Sequence, residues 1–166
     1  MDKGKITVFS GNGKGKTAAA LGIALDAAAD GKTVVVIQFL KGKGLAEAEF
    51  CKRMEPEIKI FRFEKSDVDF EDRTSHQQAD DVESIRNSLG FARKVLVTGE
   101  CDILIMDEVL GLIDNGIISV GELRDLVDHR GDTEVIFTGR VMDDELCVFV
   151  DEISQISTVQ FKKFDA

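Results

Sequence analysis

One turn constrains this chain more than any other stretch. Gly11-Asn12-Gly13-Lys14-Gly15-Lys16-Thr17 lies between an apolar run at 5–9 and a segment rich in small residues at 18–30. The run reads as a buried strand and the segment as a helix. A glycine-rich turn at such a junction gathers backbone N–H groups into one concave nest, and the helix N-terminus adds partial positive charge. Lys16 adds a full charge, and the Thr17 hydroxyl is an oxygen ligand for Mg²⁺. Together, residues Gly11, Asn12, Gly13, Lys14, Gly15, Lys16 and Thr17 form a receptor for the polyphosphate of a nucleotide. The pattern departs from G-x-x-x-x-G-K-[ST] at one fixed position, where Ser10 replaces the first glycine.

The rest of the chain supplies the sheet that such a loop needs. In the first helix Leu21, Ala24, Leu25 and Ala28 recur at helical spacing, and Gly31 is placed to end it. Residues 33–39 form a continuous β-branched run, as expected of a strand buried on both faces of a parallel sheet. Gln38 and Lys41 fall at its end. Residues 41–52 read as a loop leading into a short helix, 58–63 as a strand and 64–74 as a polar, acidic loop. The longest helical pattern spans 79–98, with Val82, Ile85, Leu89, Ala92, Val95 and Leu96 on one face. Gly90 inside it costs about 1 kcal/mol relative to Ala. Next come four apolar residues, Ile103 to Met106, followed by Asp107 and Glu108. Carboxylates at the C-terminal end of a buried strand face the crevice where α/β sheets bind ligands. There Asp107 and Glu108 are candidate Mg²⁺ ligands with Thr17. Ser119 and Glu122 form a capping box for a helix to about His129. A strand at 134–138 ends in Gly139-Arg140, which puts Arg140 on the same edge. A short helix at 143–150 and a last strand at 157–161 complete the pattern. The expected fold is α/β: a single P-loop NTPase-like (RecA-like) domain over 1–166, a three-layer sandwich around a mostly parallel sheet.

Composition narrows the partners. With 31 acidic and 21 basic residues the net charge is −10, so the chain repels nucleic acid in general. Lys14, Lys16, Lys41 and Lys43 oppose that average near the loop. Cys51, Cys101 and Cys147 form no C-x-x-C pair and read as idle thiols of a reducing cytoplasm. No apolar run approaches the ~18 residues of a membrane span. His76 and His129 have no partners at metal-ligand spacing. The reaction is left open by these residues: a hydrolase would use Glu108 to polarise water, whereas a kinase would need an acceptor pocket.

A resemblance extends the reading. The Gly11–Thr17 loop is similar to that of the ATP:corrinoid adenosyltransferases, which tolerate a small hydroxyl residue before it. Val36-Ile37-Gln38-Phe39-Leu40-Lys41-Gly42, Ile105-Met106-Asp107-Glu108-Val109, Val135-Ile136-Phe137-Thr138-Gly139-Arg140 and Phe164-Asp165-Ala166 resemble further family segments, in order. The resemblance implies that Co(I) of a reduced corrinoid attacks C5′ of ATP and displaces triphosphate. Lys16 and Thr17 then act on the leaving group, with Mg²⁺ held by Thr17, Asp107 and Glu108. Gln38, Lys41 and Arg140 would contact nucleotide or corrin. It also implies a reductase or flavoprotein as electron supplier, and a homodimer. The family's N-terminal extension over the corrinoid is missing, its tail often runs past Phe164-Asp165-Ala166, and its Gly-Phe-Thr-Trp segment is not recognisable. Residues 64–74 stand in the place of that segment, and Phe63 or Phe70 offers an aromatic face. Competing readings are a diverged P-loop ATPase or small-molecule kinase, and a non-catalytic ATP- or corrinoid-binding module.

Overall fold

Six strands form one sheet in which every neighbouring pair is parallel: β1 (Ile6–Ser10), β2 (Val34–Gln38), β3 (Ile58–Arg62), β4 (Ile103–Asp107), β5 (Glu134–Gly139) and β6 (Glu152–Gln155). Their order across the sheet is β3-β2-β4-β5-β1-β6. The computed structural model describes residues 2–162. Strand periodicity of two sorts the apolar residues between the faces. Val34, Val36, Ile103, Ile105 and Ile136 meet Ala20, Ala24 and Ala27 of α1 (Lys16–Ala29). On the other face Val35, Ile37, Leu104, Met106, Val135 and Phe137 pack with Ile85, Ala92, Val95 and Leu96 of α3 (Ser75–Thr98). Leu123, Leu126 and Val127 of α5 (Val120–Val127) join them. Helix, sheet and helix thus make three layers, the RecA-like α/β arrangement. Two short helices, α2 (Glu49–Lys52) and α4 (Leu110–Asp114), lie in the connections.

The buried face of α1 is rotated from the one its spacing indicates. Ala20, Ala24 and Ala27 face the sheet, whereas Leu25 is 55% exposed. Only small side chains fit where the helix lies close on the strands. Helix α3 begins before residue 79, at Ser75, because Thr74 and Gln77 form a reciprocal capping box ahead of the apolar pattern. It runs unbroken through Gly90, whose missing Cβ has nothing within 4 Å to pack against. Helix α4 has no counterpart in the sequence reading; five residues are too few to show a helical period.

The last strand is corrected: it is Glu152–Gln155, not 157–161. Ile153 packs against the core, while Val159 and Phe161 are 71% and 93% exposed. Beyond β6 the chain instead binds the glycine-rich turn, where the Gly13 and Lys14 amides donate to the Ile156 carbonyl and the Thr158 hydroxyl (both 2.9 Å). The Phe164-Asp165-Ala166 stretch lies outside the described residues.

Candidate functional site

The glycine-rich turn sits where β1 hands over to α1. Gly11 has φ +119°, and a Cβ there would collide with the Ile156 carbonyl, so neither the backbone angle nor the space admits another residue. Helix α1 starts at Gly15 with no side-chain cap and no acid in its first turn. Helices α3 and α5 both carry full capping boxes. The first-turn N–H groups and dipole of α1 are therefore left for an external anion. The Lys16 ammonium folds over the turn and donates to the Gly13 carbonyl at 2.9 Å. Asn12 and Lys14 are exposed at the turn's outer side.

Asp107 ends β4 fully buried, and its carboxylate is the hub of the site. It accepts from the Thr17 hydroxyl (2.8 Å), the Thr138 hydroxyl (2.7 Å) and the Gln38 amide (3.3 Å). The Lys41 ammonium lies 3.5 Å from Asp107 Oδ2 and donates to Thr17 Oγ1 at 3.1 Å. A cation thus bridges the hydroxyl and the carboxylate that the sequence pairs as magnesium ligands. Gln38 is buried; its Oε1 accepts from the Leu45 amide at 2.8 Å. It therefore braces Asp107 from inside the protein.

Thr138, named in the sequence only as part of the Thr138-Gly139-Arg140 segment, gains a specific role here. Strand β5 lies between β1 and β4, which puts Thr138 beside Asp107. Its Oγ1 also accepts from the Glu108 amide at 2.8 Å, which holds Glu108 at φ +62°. Its contact with Asp107 follows only from the strand order across the sheet, because the two residues are distant in sequence. Thr138→Val keeps the shape but strands the Glu108 backbone N–H and leaves the buried Asp107 Oδ1 with the Thr17 hydroxyl alone. The expected cost is about 1–3 kcal/mol, read as a lower Tm, with Thr138→Ser close to wild type.

Beyond Asp107 opens a cleft of about 210 Å³ lined by Leu40, Lys41, Phe70, Glu108, Asn115 and Arg140, among others. Burial, and then the neighbouring Asp107 charge, push the Glu108 carboxyl above the usual range, against the pull of Lys41, Lys16 and Arg140. Arg140 reaches across to Glu71 at 3.3 Å, an exposed pair of little energetic weight. Phe70 lines this cleft, with the Arg73 guanidinium 5.4 Å from its ring centroid. Phe63 instead joins Phe61 and Phe91 in an aromatic cluster.

Residues 64–74 form the polar loop that the sequence indicates, with one short turn at Phe70–Asp72, but Glu64 and Arg73 within it point inward. Together with Asp81 of α3 they make a buried charge cluster: Arg73 Nη1 lies 2.9 Å from Glu64 and 3.1 Å from Asp81, with all three side chains at most 5% exposed. Charge in a sequence reads as surface; nothing local marks three groups that find one another across separate elements.

A phosphate-binding turn at the end of β1, an acid at the end of β4 and a strand between them define a P-loop nucleotide-binding protein of the RecA-like α/β class. The same architecture is seen in a KaiC-like protein from Pyrococcus horikoshii, with a TM-score of 0.53 at 14% identity over 96% of this chain and 75% of that one. The chain belongs to the ATP:corrinoid adenosyltransferase BtuR/CobO/CobP family, whose profile matches residues 2–164. It is 30% identical to the corrinoid adenosyltransferase CobA of Salmonella typhimurium and 28% to the corrinoid adenosyltransferase of Escherichia coli K12. Both alignments cover 99% of this chain and 82% of the relative.

Proposed function

We propose that this chain transfers the 5′-deoxyadenosyl group of ATP to the Co(I) of a corrinoid and releases triphosphate. The family match along nearly the whole chain carries this reading. In the reaction the Co(I) electron pair forms the bond to C5′ as the C5′–O bond breaks. The pair from that bond leaves on the triphosphate oxygen, and cobalt becomes formally Co(III). No proton is transferred, so no general base is required.

The protein's work is then to bind, orient and neutralise. Lys16, with the N–H groups of the Gly11–Thr17 turn and the uncapped start of α1, stabilises charge growing on the leaving triphosphate. Thr17 and Asp107, with Glu108, are the residues that would hold Mg²⁺; three oxygen donors suit that hard cation, and the Lys41 ammonium occupies a cation position between the first two. When bound, the metal would add charge neutralisation at the phosphates. Thr138 and Gln38 orient Asp107. Arg140 faces the cleft on the side of the second substrate.

Co(II) corrinoids need one further electron, so a reductase or flavoprotein is the implied partner. Three free cysteines, the buried Cys101 pushed up to about 11 by burial and so inert, fit work in a reducing cytoplasm. No helix among the described residues is long and apolar enough to cross a membrane.

The test is an anaerobic incubation of the protein with ATP, Mg²⁺ and a chemically reduced corrinoid. One cobalt–carbon bond per triphosphate is expected. ADP and phosphate, formed at the same rate without corrinoid, would overturn the reading.

A further inference from the structure

The buried Glu64–Arg73–Asp81 cluster is unexplained by the nucleotide site as described above, yet its hydrogen bonds lead there. Both Glu64 oxygens accept from the Leu40 amide, at 3.0 and 3.1 Å. Arg73 Nη2 donates to the Lys41 carbonyl at 3.2 Å, and Arg73 Nε to the Val68 carbonyl at 2.9 Å. The Phe70 amide donates to the Leu40 carbonyl at 2.9 Å, and the Gly42 amide to Asp69 at 2.8 Å. Four backbone groups of residues 40–42 are therefore held by the segment 64–73. Leu40 itself has φ +62°, a left-handed conformation that a non-glycine residue adopts only when its surroundings impose it. That sharp turn follows β2 directly and carries Lys41 back over the site, where its ammonium reaches Thr17 and Asp107.

We infer that Glu64 and Arg73 are positioning residues for the nucleotide site, which they serve by setting the Leu40–Lys41 turn and so the place of the Lys41 ammonium. They touch none of the phosphate-binding groups. Their charges are needed inside the protein because the turn exposes an amide and a carbonyl that no strand can pair, and an ionised pair makes stronger hydrogen bonds to such groups than neutral side chains do. The cluster contains two carboxylates and one guanidinium. Removing Glu64 therefore leaves the balanced pair Arg73–Asp81, so the role of Glu64 can be tested without an unpaired buried charge. The inference rests on the reading that the Gly11–Thr17 turn binds ATP.

The experiment is equilibrium binding of ATP with Mg²⁺, measured calorimetrically with no corrinoid present, in a double-mutant cycle between Glu64 and Lys41. Glu64→Met keeps the volume and loses the acceptor for the Leu40 amide. It is expected to weaken ATP binding about tenfold in the wild-type background. In the Lys41→Met background the same change should cost less than about twofold, because the group being positioned is gone. Glu64→Gln retains an acceptor oxygen and should restore affinity to within about threefold of wild type. An equal loss in both backgrounds would overturn the inference, since the cluster would then be acting on the fold alone. No loss in the wild-type background would overturn it too. If Glu64→Met does not fold, as judged by circular dichroism, the same cycle is run with Arg73→Lys. That variant keeps the charge but cannot hold the Lys41 and Val68 carbonyls together, and the same outcomes apply. A wild-type protein that fails to bind ATP at all is a separate result: it removes the nucleotide reading itself, whatever the variants do.

Discussion

Lys16→Ala is expected to lower kcat/KM for corrinoid adenosylation about 10³-fold while leaving the fold intact. The rate effect follows from where charge develops. In a displacement at C5′ the triphosphate gains negative charge as it leaves, and an ammonium already in place needs no reorganisation to meet it; losing one such donor typically costs 10²–10³ in kcat, about 2.7–4 kcal/mol. Weaker binding of ATP adds a further factor to kcat/KM. Stability is spared because Lys16 makes one hydrogen bond in the free protein, to the Gly13 carbonyl, at a half-buried position. The check is anaerobic steady-state kinetics together with a melting curve. A variant with normal kcat and a raised KM alone would show that Lys16 contributes only ground-state binding.

Arg73→Met should have the largest effect on stability, with Tm lower by roughly 6–20 °C at neutral pH. Arg73 has no exposed side-chain surface and lies against Glu64, also unexposed, and Asp81. Without it two carboxylates stay buried side by side with no countercharge, a defect worth about 3–5 kcal/mol. In a domain of this length each kcal/mol moves Tm by roughly 2–4 °C. Burial already pushes the Glu64 carboxyl above the usual range, although Arg73 and the Leu40 amide pull it back. With Arg73 gone, the Glu64 carboxyl loses the partner that pulls it back and titrates further above its unfolded value. The native state then binds more protons than the unfolded chain, so the variant regains stability as pH falls through that window. Melting curves of wild type and Arg73→Met at pH 8 and pH 5 should therefore converge toward the acidic end. Adding Glu64→Gln and Asp81→Asn should recover part of the loss at pH 8, because no unpaired charge remains.

These two residues differ sharply in how visible they are in the sequence. Lys16 is announced by its neighbours: the turn needs glycines at particular positions and a strand and helix on either side, all adjacent along the chain. Asp107 is legible for the same reason, since a run of apolar residues ending in an acid is a local pattern. Gln38, Lys41 and Arg140 could be placed at the right edge of the sheet but not given partners. The structure turns Gln38 inward to Asp107, lays Lys41 across Thr17 and Asp107, and pairs Arg140 with Glu71. Elements with long periodic patterns were read correctly in kind. The misreadings fall where local signals conflict, as at 157–161, where β-branched residues suggest a strand but the chain has left the sheet edge to bind the turn.

Taken alone, the sequence determined the phosphate-binding turn, the class of fold, the acid at the end of the fourth strand and the family that these motifs resemble. Each depends on residues close together in the chain, where backbone angles and periodicity leave few alternatives. The tertiary structure alone decided the strand order, and with it the contact of Thr138 with Asp107. It also decided that Glu64 and Arg73 turn inward from the loop 64–74 to meet Asp81 in a buried charge cluster and to hold residues 40 and 41. Those are outcomes of pairing between distant segments. Their free energy comes from desolvated partners meeting across the fold, and no single stretch of the chain contains both halves of such a contact.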